Sequence, residues 1–208
     1  MERSEPTVSR PTTSLNGHNR YIERVIELTL DPSRSQIRLR TFAEGLFSKI
    51  AHDLELVCSK LSGTASRDDT SAAMTGTATI EIPIRGIEVA GTLHGSRVDA
   101  AGLSTRERHD CLEKMRREVF HVGDEGVVRA EIVLRDTAAH VRIVPPKGKS
   151  AEMSARVTVR EQEGVIVGQG MLEVSLSAIG SDVVKGPMNA FRVKDRVEVH
   201  FEIAFTPK

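Results

Sequence analysis

The sequence predicts an all-β fold with helical excursions: an antiparallel β-barrel of about eight strands, one short plug helix and one longer helix. Three observations predict it. Apolar and polar residues alternate with period two through most of the chain, most cleanly over residues 73–84. Turn signals rich in Asp, Gly, Pro and Ser separate these runs at short intervals. Residues 41–56 and 103–119 break the alternation with helical spacing. The many short strands favour closure into a barrel over a two-sheet sandwich.

Taken in order, residues 1–19 are rich in Ser, Thr, Pro and Asn and nearly devoid of apolar side chains, which predicts a disordered tail before a folded domain over 20–208. Residues 21–30 can be a strand on the alternation of Ile26, Leu28 and Leu30, while Ile22, Val25 and Ile26 at helical spacing leave the first half open to either strand or helix. Asp31-Pro32-Ser33 marks a turn. Residues 35–42 set Ile37 and Leu39 against Arg38 and Arg40. In the following stretch Gly45 permits a sharp change of direction, and Leu46, Phe47 and Ile50 make one apolar helical turn that ends at His52-Asp53. This is the predicted plug at one end of the barrel. Residues 53–66 return to strand, with Leu54, Leu56 and Leu61 apolar and Gly63 at a bend or bulge.

After a loop at 67–71 comes the clearest strand, 73–84. Met74, Gly76, Ala78, Ile80, Ile82 and Ile84 face one way, and Thr75, Thr77, Thr79 and Glu81 the other; Pro83 places a strand end there. Residues 87–99 continue as one strand with Ile87, Val89, Gly91 and Leu93 on one face and Glu88, Thr92 and His94 on the other. Residues 103–119 form the long helix. Ser104 and Glu107 make a capping box, and Leu112, Met115 and Val119, with Cys111 beside them, make a stripe facing the core.

Strands at 127–134 and 138–144 meet around Arg135-Asp136-Thr137. A stiff basic loop, 145–149, follows. Residues 151–160 and 165–176 form a hairpin, with Gly168 and Gly170 as bulges or a barrel corner. Residues 178–189 are a loop. The last strand, 197–205, alternates Val197, Val199, Phe201, Ile203 and Phe205 with Glu198, His200 and Glu202.

Composition removes several function classes. The 208 residues carry 29 Lys+Arg and 29 Asp+Glu, so no net charge draws the chain to nucleic acid or to an anionic membrane, although a local basic face is compatible with neutrality. Aromatics are 3%, with no Trp, which argues against stacking platforms for single strands. No apolar run approaches a membrane span. The N-terminus has charges without an apolar run behind them, so the expected location is cytoplasmic, or periplasmic if translation starts upstream. Cys58 and Cys111 have no metal-ligand spacing and read as two buried thiols. A homodimer is compatible with the sequence.

Three places in the chain resemble the YceI-like family, lipocalin-like antiparallel β-barrels associated with polyisoprenoid binding. The first is the strand–plug–strand stretch ending in His52, followed by Leu54-Glu55-Leu56 and Ser62-Gly63. The second is the central helix after residues 87–99. The third is the tail, with Gly170, Leu172 and Ser175, then Ser177-Ala178-Ile179-Gly180, then Lys194-Asp195-Arg196-Val197-Glu198-Val199. The resemblance spans about residues 21–206 and implies a lumen that carries or sequesters a hydrophobic, chain-like small molecule.

The alternation nominates its wall: Phe47 and Ile50 from the plug, then Met74, Ala78, Ile80, Ile82, Leu93, Met153, Val157, Phe201 and Ile203, with Gly76 and Gly91 leaving room. A filled core, in a structural or protein-interaction domain without ligand, is the alternative. No catalytic, metal or cofactor motif stands out, and the chain is not expected to be an enzyme. His52-Asp53 is adjacent in an extended stretch, so the two side chains diverge. His52 is expected to bond a carbonyl where the plug ends. His94, His109, His121, His140 and His200 are dispersed.

Overall fold

The computed structural model describes residues 25–45, 51–68, 74–186, 188 and 190–208. Its strands are β1 (Val25–Leu30), β2 (Gln36–Thr41), β3 (Ala43–Glu44), β4 (Asp53–Cys58), β5 (Ser62–Asp68), β6 (Thr75–Pro83), β7 (Ile87–His94) and β8 (Arg97–Asp99). After the helix α1 (Thr105–Lys114) come β9 (Val127–Arg135), β10 (Ala138–Val144), β11 (Ala151–Gln162), β12 (Val165–Ser175), β13 (Arg192–Val193) and β14 (Arg196–Pro207). The order β1-β5-β6-β9-β10-β11-β12-β14 closes on itself through β14–β1, which makes an eight-stranded antiparallel barrel. Closure removes the unpaired edges that an open sheet would expose.

The barrel flares at one end. β14 is long enough to pair with β1 through Phe205–Pro207 and with β2 through Glu198–Glu202. Beyond β2 the sheet continues through β4 and β7 to β8. The division between barrel and flare falls where three strands are interrupted: Pro32–Arg34 separates β1 from β2, residues 59–61 separate β4 from β5, and Ile84–Gly86 separates β6 from β7. At the first of these, Ser35 repairs the ladder. Its hydroxyl oxygen accepts the Ala204 N–H at 3.0 Å and donates to the Asp31 carbonyl at 2.7 Å. The Asp31 N–H in turn donates to the Ala204 carbonyl at 2.9 Å.

Hairpin chemistry sets the register. At Glu163-Gly164 both turn residues have positive φ, 52° and 76°, as a two-residue turn between right-twisted strands requires. The β11–β12 ladder from Arg156↔Met171 to Gln162↔Val165 is unbroken. Gly168 and Gly170 therefore do not mark bulges. A Cβ at Gly170 would stand 2.8 Å from the Phe201 ring, and Gly170 pairs directly with Phe201. The glycine makes room for the ring. Gly63 likewise lies in continuous pairing with Ile80.

The bulge is elsewhere. Between β4 and β7 the register shifts at Glu55/Leu56, so that Leu56 faces Val89 but Glu55 faces Gly91. The extra residue, Ala90, turns the rest of β7 over, because side chains alternate with period two. Thr92 is consequently buried, at 1% exposure, and Gly91 and Leu93 leave the inner face. The expected single strand over 87–99 is also broken, by the Gly95-Ser96 turn into β8.

The capping box of α1 is present: the Ser104 hydroxyl accepts the Glu107 N–H, and the Glu107 carboxylate accepts the Ser104 N–H at 2.8 Å. The helix then widens into a π-helical turn, Met115–Val119. Arg108 fastens α1 to the flare by donating to the carbonyls of Val89, at the bulge, and Ala100. The proposed plug turn at 46–50 lies outside the described residues. Beside it, Ala43–Glu44 pairs with β13.

Candidate functional site

The barrel encloses a cavity of about 160 Å³ to which all eight strands contribute: among others Leu28 (β1), Ala65 (β5), Ile80 (β6), Ile132 (β9), Val141 (β10), Val157 (β11), Gly168 (β12) and Ile203 (β14). Its wall is almost wholly hydrocarbon. The small residues Gly76, Ala78 and Gly168 face it, which is where the volume comes from. A Cβ at Gly168 would meet only Val157 Cγ1, at 3.5 Å.

A second cavity of about 730 Å³ lies in the flare, under α1 and its π-helical turn. Leu39, Leu54, Leu56 and Ile87 form its floor, and Leu103, Cys111, Met115 and Val119 its roof. Phe42, Val184, Phe191 and Val193 close one side. Its rim is charged, with Glu107, Asp110, Lys114, Arg117 and Lys185. Ile37, Ile82, Ile143 and Val199 belong to the walls of both cavities, so the two adjoin without a polar partition. The narrow chamber suits a chain, and the wide one falls within the range of ~300–1,000 Å³ common for ligand pockets.

The far end of the narrow chamber is crossed by an ion pair. Arg67 of β5 and Glu161 of β11 stand opposite each other around the ring of eight strands, yet their side chains meet at 2.6 Å. A charged strut thus spans that end while Ser66, Thr75 and Thr77 line it.

Of the residues nominated from the sequence, Met74, Ala78, Ile80, Ile82, Val157, Phe201 and Ile203 line the narrow chamber together. Phe47 and Ile50 lie outside the described residues. Leu93 is buried but lines neither cavity, because the Ala90 bulge turned it away. Met153 stays on the inner face and packs against the core without reaching either cavity. Sequence reasoning missed Ile132, Leu134, Val141 and Ile143, although β9 and β10 alternate as plainly as β6 does. It also missed the entire wide chamber, whose walls come from many segments separated in the chain.

His52 is exposed at the rim of the wide chamber and makes no carbonyl hydrogen bond among the described residues. Asp53 makes the structural contact instead, accepting the Ala43 N–H at 2.8 Å. Cys58 and Cys111 are free thiols on opposite walls of the wide chamber. Burial pushes both thiols up from their ordinary range, so neither is poised as a nucleophile. Among the described residues no three of His, Cys, Asp and Glu gather as a metal site would require.

No family model and no curated protein matches this chain. Among solved structures it is similar to the crystal structure of BcnA from Burkholderia cenocepacia, with a TM-score of 0.56 over 84% of this chain and 98% of that one, at 16% identity. The likeness is one of fold. It places the chain among barrel proteins of this architecture.

Proposed function

We propose that the protein binds a hydrophobic, chain-like small molecule, of isoprenoid or lipid type, with its tail in the narrow chamber and its bulk in the wide one. The observation that carries this reading is the pair of adjoining apolar chambers, one inside the closed ring of strands and one in its flare. A dry cavity of ~150 Å³ accepts a benzene-sized guest, so the narrow chamber has room for about six carbons. At about 0.8 kcal/mol per buried CH₂, such a tail contributes about 5 kcal/mol. The resemblance of the sequence to YceI-like proteins supports the same ligand class and carries family membership as part of this proposal. The role is that of a carrier or sequestering module rather than an enzyme.

Native mass spectrometry of the purified full chain tests it. A population heavier than the polypeptide by an extractable apolar mass, or saturable uptake of an added C15–C20 prenol, is the expected result. A chain that carries nothing and takes up no prenol at concentrations up to its solubility would overturn it.

A further inference from the structure

Period-two alternation carries two charged side chains onto the inner face of the ring. On β5, Ala65 and Arg67 share that face; on β11, Val157, Val159 and Glu161 share it. Ala65, Arg67, Val157 and Val159 line the narrow chamber, and Arg67 is the only charged side chain among the described residues that do so. β5 and β11 face each other across the ring, so only long side chains can meet between them. Arg67 reaches over, its Nη1 donating to Glu161 Oε2 at 2.6 Å. Gly76, its cross-strand neighbour on β6, has no side chain to stand in the way. The Arg67 side chain is 18% exposed and that of Glu161 44%, so the pair stands at the boundary between the apolar lumen and water.

A hydrocarbon tail pushed past this pair would have to separate the charges or strip water from them, and it brings no hydrogen bond in return. A tail that has reached the pair therefore gains nothing by growing longer. We propose that Arg67 and Glu161 are the stop of the ligand site and set the length of apolar chain that the protein selects. This rests on the lumen reading above and adds a selectivity to it. Short of the stop, each added CH₂ tightens binding about fourfold. Beyond it, further carbons contribute nothing.

The test is displacement of a fluorescent prenol analogue from the full chain by the even-numbered linear primary alcohols from hexanol to hexadecanol, which reads affinity against chain length. The wild type is expected to gain affinity up to one length and then to level off. Arg67→Ala and Glu161→Ala each remove one post of the strut. Both are expected to move the break to longer alcohols by at least one member of the series, with the shorter alcohols bound as by the wild type. Arg160→Ala, exposed on the outer face of β11, is the control and keeps the wild-type break. Urea midpoints show which variants are folded. Glu161 stands near the end of β11 and is the more exposed of the two, so Glu161→Ala keeps the fold and decides alone if Arg67→Ala does not fold. A wild-type series without a break, or a break that Glu161→Ala leaves in place, overturns the proposal. A protein that binds neither the analogue nor any alcohol overturns the lumen reading itself, and the stop with it, so the two failures are distinguishable.

Discussion

Filling the narrow chamber from its own wall separates binding from stability. Gly168 faces the chamber from β12, and the nearest atom to a Cβ there is Val157 Cγ1 at 3.5 Å, an ordinary contact. Gly168→Leu adds four carbons to a space of about 160 Å³. Those carbons take the place of about four carbons of ligand, worth about 3 kcal/mol at 0.8 kcal/mol each. The affinity for a prenol should therefore fall by roughly 100-fold, at 1.4 kcal/mol per decade.

Stability should move the other way. The leucine fills a void and removes the backbone freedom that glycine contributes to the unfolded chain, about 0.5–1 kcal/mol, against a side-chain entropy loss of about the same size. A net gain of about 1–3 kcal/mol follows. Titration of a fluorescent prenol analogue measures the first quantity, and the urea midpoint of the ligand-free protein the second. Unchanged affinity together with a loss of stability would refute the reasoning, because it would mean that leucine had been forced into a filled core.

Two further perturbations follow from the geometry. Glu161→Gln removes the charge from the strut that Arg67 makes across the narrow end; stability should change by less than about 1 kcal/mol, as for exposed pairs, while stopped-flow dissociation of the analogue becomes several times faster. Asp195 is held below the usual carboxylate range, chiefly by the Ser175 hydroxyl, which donates at 2.6 Å, and also by the Ser177 N–H at 2.7 Å. A lowered folded pKa contributes stability above the ordinary value of about 4 and loses it as pH falls through the folded value, so Asp195→Asn should destabilise the protein at pH 7, with the difference from wild type vanishing on acidification.

The parts of the fold that were legible are those where local pattern and tertiary environment agree. β6 and β14 alternate without interruption, so Ile80, Ile82, Phe201 and Ile203 were placed in the lumen from sequence alone. The Ser104–Glu107 capping box announced α1 because it is a contact between neighbours in the chain. The failures share one cause: an event on a partner strand. Nothing in Val89-Ala90-Gly91 announces a bulge, since the register shift exists only against Glu55 and Leu56, and it reversed Gly91, Thr92 and Leu93 together. Gly168 and Gly170 looked like interruptions because what they leave, open space in the cavity and room for the Phe201 ring, is visible only from across the sheet. The wide chamber was hidden for the same reason, as its walls are gathered from segments far apart in the chain, among them β2, β4, β7, α1, β13 and β14.

The central claim is that the closed barrel keeps an unfilled apolar room at its heart. Xenon under pressure, soaked into crystals of the ligand-free protein, tests it most directly, because xenon enters dry cavities of this size. The account predicts a xenon peak bounded by Ile80, Val141, Gly168 and Ile203. Continuous side-chain density through that space, with no xenon bound, would contradict it.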